Sequence, residues 1–206
     1  MKARNAILNA ALALFAASVA NAADTSTMAC CAKAVSLAAT NLTERSLFQT
    51  ASKWTTDAGK QLTLGDLRGK PQVVAMFLAR CQYACPIIVN DMKRIEALLT
   101  AEQRARVGFT LVSFDTQRDT VEALAAYRRT HDLPAGLWTL LRGRADDVLE
   151  LAELLGVRYK QDSTGQFSHS NIITVLNADG EVVHQQIGLN QDINATVRTI
   201  AKLVAK

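Results

Sequence analysis

Two thiols and an imidazole are the side chains of this sequence whose types and spacing suit chemistry. Cys81 and Cys85 are separated by Gln82-Tyr83-Ala84; Cys81 follows closely on an apolar run, and Cys85 stands just before Pro86 at the head of a helix-patterned segment. A helix N-terminus favours anions, so a thiol held there is pushed toward thiolate, the form that ligates metals and attacks disulfides. Dithiol oxidoreductases generally set two residues between their cysteines, whereas this chain has three, which loosens the pair toward facing one shared ion. Two soft thiolates favour reduced copper or zinc, and either ion wants at least one more ligand.

The histidines are His131, His169 and His184. His131 follows Arg128-Arg129-Thr130 near a helix end, where the dipole favours a cationic ring in a structural role. His184 falls on a strand beside Val182 and Gln186, where a solvated role is expected. His169, in Phe167-Ser168-His169-Ser170-Asn171, sits just ahead of an apolar strand and is the remaining candidate ligand. Cys30 and Cys31 are adjacent, so neither cysteine pair closes a loop large enough to staple a domain. They are expected to be exposed tail thiols, with collection or passage of copper by this arm as the sharper alternative.

These side chains need elements to position them. Asp57-Ala58-Gly59-Lys60 is a turn signal between two short extended stretches, and Gly69-Lys70-Pro71 breaks the chain after them. Val73 to Leu78 is an unbroken apolar run, as a strand buried on both sheet faces requires. Ile88, Met92, Ile95 and Leu99 recur at helical spacing and predict one helix that ends before Gly108. Phe109 to Phe114 predicts a second strand, and Asp119 or Thr120 a cap for a helix over Val121, Leu124, Ala125 and Tyr127. Trp138 to Leu141 predicts a third strand, and Val148, Leu151, Ala152 and Leu155 a helix closed by Gly156. Ile172 to Leu176, the turn Asn177-Ala178-Asp179-Gly180 and Val182 to Ile187 predict a hairpin. Ile193, Val197, Ile200 and Val204 then share one helical face. The implied fold is α/β, a mixed central sheet flanked by helices, with a C-terminal hairpin and helix.

The chain opens on Met1-Lys2-Ala3-Arg4, an apolar run from Ala6 to Ala20 and the small-residue site Ala20-Asn21-Ala22. Residues 1–22 are therefore expected to be an export signal peptide. The run is shorter than the about 20 apolar residues of a membrane span and is interrupted by Asn9, so a cleaved, soluble, periplasmic product is expected over a membrane-anchored one. Residues 23–49, rich in Ala, Ser and Thr, are expected to form a flexible arm, and 50–206 one domain with a full hydrophobic core. The net charge of +4 loses Lys2 and Arg4 with the signal and falls to about +2, too little for a nucleic-acid footprint.

Cys81-x-x-x-Cys85-Pro86, the segment Ser113-Phe114-Asp115-Thr116-Gln117-Arg118-Asp119-Thr120, and His169-Ser170 ahead of a strand-turn-strand together resemble the Sco (SenC) family of copper-binding proteins with a thioredoxin-like fold. The likeness runs from about Trp54 to the C-terminus. It implies Cys81, Cys85 and His169 as ligands of copper, as Cu(I) and also Cu(II), with Asp115 and Asp119 bordering the site without ligating. Gln82 stands where the family usually has proline and Ser168 where it usually has an acid, and neither change removes a donor atom. Thioredoxins place a cis proline where this chain has His169-Ser170, and an imidazole there suits an ion better than a peptide. The resemblance further implies a copper metallochaperone for assembly of the copper centre of cytochrome c oxidase, with an oxidase subunit as client. Two other functions stay open. One is a thiol:disulfide reductase acting on oxidase cysteines, with Cys81 and Cys85 redox-active and a thiol reductant as partner; the other is a copper-buffering or sensing protein.

Overall fold

The computed structural model describes residues 42–163 and 167–205. The expected signal peptide and Cys30 and Cys31 lie outside the described residues. Among the described residues no helix is long and apolar enough to cross a membrane.

A first hairpin, β1 (Lys53–Thr56) and β2 (Gln61–Thr63), closes through the turn at Asp57 to Lys60. Next come β3 (Gln72–Phe77), α1 (Ala84–Leu98), α2 (Ala101–Ala105), β4 (Gly108–Ser113) and α3 (Val121–Thr130). They are followed by β5 (Trp138–Gly143), α4 (Ala145–Leu154), β6 (Tyr159–Gln161), β7 (Phe167–His169), β8 (Ile172–Leu176), β9 (Val182–Ile187) and α5 (Asn194–Val204). Seven strands make one sheet in the order β2-β1-β5-β4-β3-β8-β9. β3 and β4 run parallel at its centre, and β8 lies antiparallel against β3. Every residue of β3 and β4 is buried, the outcome that their unbroken apolar runs require.

Helices cover both sheet faces. His184 and Gln185 are neighbours on β9 and so point to opposite faces. The His184 ring lies 3.0 Å from the Thr196 hydroxyl on α5, while the Gln185 amide donates to the Leu155 carbonyl at the end of α4 at 2.8 Å. α5 and α4 therefore flank the sheet from opposite sides. The same contact corrects the solvated role expected of His184, whose ring is half-buried against α5.

The single helix expected before Gly108 is two. Leu99 turns extended, and Thr100 restarts the chain with a capping box: its hydroxyl accepts from the Gln103 N–H at 3.3 Å, and the Gln103 side chain accepts from the Thr100 N–H at 2.9 Å. At α3, Thr120 and not Asp119 is the cap, accepting from the Ala123 N–H at 3.2 Å. Gly156, at φ +67°, closes α4 in the left-handed conformation that glycine adopts without strain.

Within the segment expected as a flexible arm, Leu47 and Phe48 are buried. Leu47 donates its N–H to the Gly180 carbonyl at 3.0 Å. A Cβ on Gly180, at φ +85°, would meet the Phe48 ring at 2.5 Å, so glycine is required at the turn between β8 and β9. The short ribbon of β6 and β7 is a separate sheet that hydrophobic periodicity did not predict, because three residues are too few to show a period.

Candidate metal centre

The cysteines come from the junction of β3 and α1. After Phe77 the chain leaves the sheet, and the Cys81 N–H donates back to the Leu78 carbonyl at 3.2 Å, which folds Cys81 toward the coming helix. Its sulfur accepts from the Cys85 N–H at 3.4 Å, one of the free donors of the first helical turn. Burial works against a charge on Cys81, but the N–H groups of Cys85, Tyr83 and Ala84 outweigh it and hold this thiol below its ordinary range. Cys85 is fully enclosed, and burial pushes its thiol far up, with the neighbouring Cys81 and Asp119 adding to the rise against a 3.5 Å bond from the Leu78 N–H. Both thiols are free. One is thus a half-exposed thiolate former, and the other a thiol that burial keeps protonated.

His169 ends β7, just ahead of β8, the strand paired with β3. Tyr159 pairs with it in the ribbon, and Ser170 binds back to Arg158 through an N–H to carbonyl bond of 2.8 Å. The His169 Nδ1 lies 3.1 Å from the Ser170 carbonyl. A carbonyl only accepts, so Nδ1 carries the proton and Nε2 keeps its lone pair free. That lone pair faces Cys85, with Nε2 3.8 Å from Sγ. Phe114 supports the ring at a centroid distance of 4.9 Å and also packs on Tyr159 at 5.4 Å and Phe167 at 5.2 Å.

Ligand atoms of Cys81, Cys85 and His169 all lie within 4.8 Å of one another, the one such group among the described residues. Bonds of about 2.3 Å to sulfur and about 2.0 Å to nitrogen bring donors on one ion to roughly this spacing. Two thiolates and an imidazole with a fixed tautomer suit a soft cation, and carboxylates are absent from the donor set.

The two acids expected to border the site have scaffold roles. Asp119 is buried and accepts from the Ala79 N–H at 2.9 Å and from the Ser113 hydroxyl, tying the end of β4 to the loop that leads to Cys81. Burial raises its carboxyl above the usual range. Asp115 is buried and takes the Arg118 guanidinium at 2.8 Å. His131 stacks on Tyr127 with centroids 4.1 Å apart. Burial and Lys93 lower its pKa, against the dipole that favours a cationic ring at that helix end.

Sequence reasoning missed the Ser170 carbonyl that sets the histidine tautomer and the Phe114 ring beneath it. Phe114 left a signal, as the apolar residue just past buried β4 and beside Asp115. The carbonyl left none, because backbone acceptors exist at every position.

The chain matches the family model described as SCO1/SenC over residues 40–205. A protein of Stutzerimonas stutzeri described as copper-binding is 26% identical over 120 residues, 56% of this chain, which spans 57% of that relative. Among solved structures, an SCO1/SenC family lipoprotein of Bacillus anthracis superposes with a TM-score of 0.68 at 24% identity, covering 75% of this chain and 92% of the other. Arabidopsis thaliana ScoI with copper bound superposes with a TM-score of 0.63 at 19% identity, covering 75% and 96%.

Proposed function

This chain belongs to the SCO1/SenC family, and we propose that it is a copper metallochaperone, exported to the periplasm, that carries copper on Cys81, Cys85 and His169. The single observation that carries the reading is the convergence of two sulfurs and an imidazole nitrogen within 4.8 Å. The ion is cargo. Cys81, half-exposed and biased toward thiolate, is the residue that meets it first. Cys85 then exchanges its proton for the ion, and the free Nε2 of His169 completes the donor set. Three donors leave one side of the ion open, so an incoming thiolate can replace them stepwise. Delivery to the copper centre of cytochrome c oxidase is what the family resemblance adds.

Anaerobic Cu(I) titration of the reduced protein tests this. One ion per chain is expected for the wild type, with loss of tight binding in Cys81→Ser and Cys85→Ser. Undiminished binding in both variants would end the assignment.

The asymmetry of the thiols favours a second reading, a thiol:disulfide reductase. The Cys81 thiolate would attack a client disulfide, and Cys85 would then displace the client, leaving a Cys81–Cys85 disulfide and two client thiols. A mixed disulfide trapped on Cys81 whose turnover is unaffected by His169→Ala would favour it over copper transfer.

A further inference from the structure

The rim around the candidate centre carries three exposed cations. Arg80 directly precedes Cys81 and is exposed. Arg158 and Lys160 are exposed on either side of Tyr159 and line one shallow groove with His169. None of these three cations belongs to an ion pair among the described residues. Two of the nearby acids are withdrawn, Asp115 at 2% exposed and paired with Arg118 and Asp119 at 0% exposed, while Asp162, further along the ribbon, is exposed and has a contact of its own. Between the cysteines stands Tyr83, 81% exposed, the most open large hydrophobic among the described residues.

Neither the fold nor the ligand set uses this combination. Copper exchange would use it. A cuprous ion on two thiolates carries net negative charge, and an incoming thiolate carries more, so the two centres repel unless cations at the rim offset them. Unpaired cations on one partner speed encounter with an acidic one, and an exposed aromatic beside them is the residue type that anchors interfaces.

We propose that Arg80, Tyr83, Arg158 and Lys160 form the docking face for an acidic protein surface that presents the cysteines exchanging copper with Cys81 and Cys85. This rests on the metal-exchange reading above. The rim steers the partner by charge, Tyr83 seats it next to the ion, and specificity resides outside the ligands.

The test uses the full chain and two synthetic peptides with the same Cys-x-x-x-Cys core, one in a Glu-rich and one in a Lys-rich frame. Stopped-flow transfer of Cu(I) to the acidic peptide should be about 10-fold faster at low ionic strength, an advantage that added salt removes. Combined Arg80→Glu, Arg158→Glu and Lys160→Glu should invert the preference while copper stoichiometry stays the same. The equal charge change Arg106→Glu, Arg198→Glu and Lys202→Glu, outside the rim, should preserve it. Equal rates for both peptides, or a preference that survives reversal of the rim, would overturn the proposal. Anisotropy of cysteine-free versions of the peptides with metal-free protein reads the rim separately. Salt-sensitive binding of the acidic one that the rim reversal abolishes supports the docking face even if no copper is bound, and indifference to charge defeats it.

Discussion

The cysteines and the histidine reach the site from two regions held in different ways. The loop from Leu78 to Cys85 joins β3, with every residue buried, to α1, whose Ile88, Met92 and Ile95 are core residues. It is pinned by the Cys81 N–H on Leu78, the Cys85 N–H on Cys81 and Asp119 on Ala79. The ribbon that ends in His169 belongs to a separate two-stranded sheet. Packing around Phe114, the strand pairing and the return of Ser170 to Arg158 hold it. Local opening costs least where few buried contacts must break. The two sulfurs are therefore preorganised, and on the proposed copper-binding reading the imidazole is the donor whose position can yield during uptake or release.

The sharpest way to break this contrast is ligand removal. Structural zinc sites bind with about 10–16 kcal/mol at neutral pH, and on that scale loss of one of the donors in Cys85→Ser should weaken Cu(I) binding by about 10⁴-fold in chelator competition. Loss of the yielding ligand in His169→Ala should weaken it by only about 100-fold, near the upper range for groups that tune a site. Equal losses would show the ribbon to be as rigid a part of the site as the loop.

Phe114→Ala tests what holds the ribbon. Truncating a buried phenylalanine costs about 3–5 kcal/mol. The expected signature is faster amide exchange over β6 and β7 with protection in β3 and β4 kept above it. Uniform loss of protection would mean that ribbon and sheet open as one unit.

The pH dependence sharpens the loop side. Cys85 is protonated near neutrality because burial raises its thiol, whereas Cys81 is held lower. As pH falls, copper affinity should drop about tenfold per pH unit for each proton displaced, one above the Cys81 titration and two below it. Cys85→Ser should remove a step from this dependence, and a flat profile would contradict both thiol assignments.

The smallest effect concerns the metal-free fold. Because the folded Cys85 thiol lies above its ordinary value of 9.0, the unfolded chain loses that proton first as pH rises. Stability is thus full below about pH 9 and declines above it. Alkaline unfolding midpoints that fall less in Cys85→Ser than in the wild type would bear this out.

Patterns carried by neighbouring residues made most of the elements legible. The apolar run from Val73 to Leu78 marked a central strand, Asn177 to Gly180 a turn, and Gly156 a helix end. Cys81, Cys85 and His169 were legible as candidates because thiols and imidazoles are chemically distinctive wherever they fall. Tertiary structure decided the rest. β8 lies antiparallel against β3, with Ala75 opposite Ile173, so the chain just before β8 reaches the end of β3 from which the cysteines depart. That pairing brings an imidazole to the Cys85 sulfur, 84 residues away in sequence. Burial of Cys85, which no local pattern specifies, then set its thiol apart from Cys81, whose surrounding N–H groups favour the thiolate.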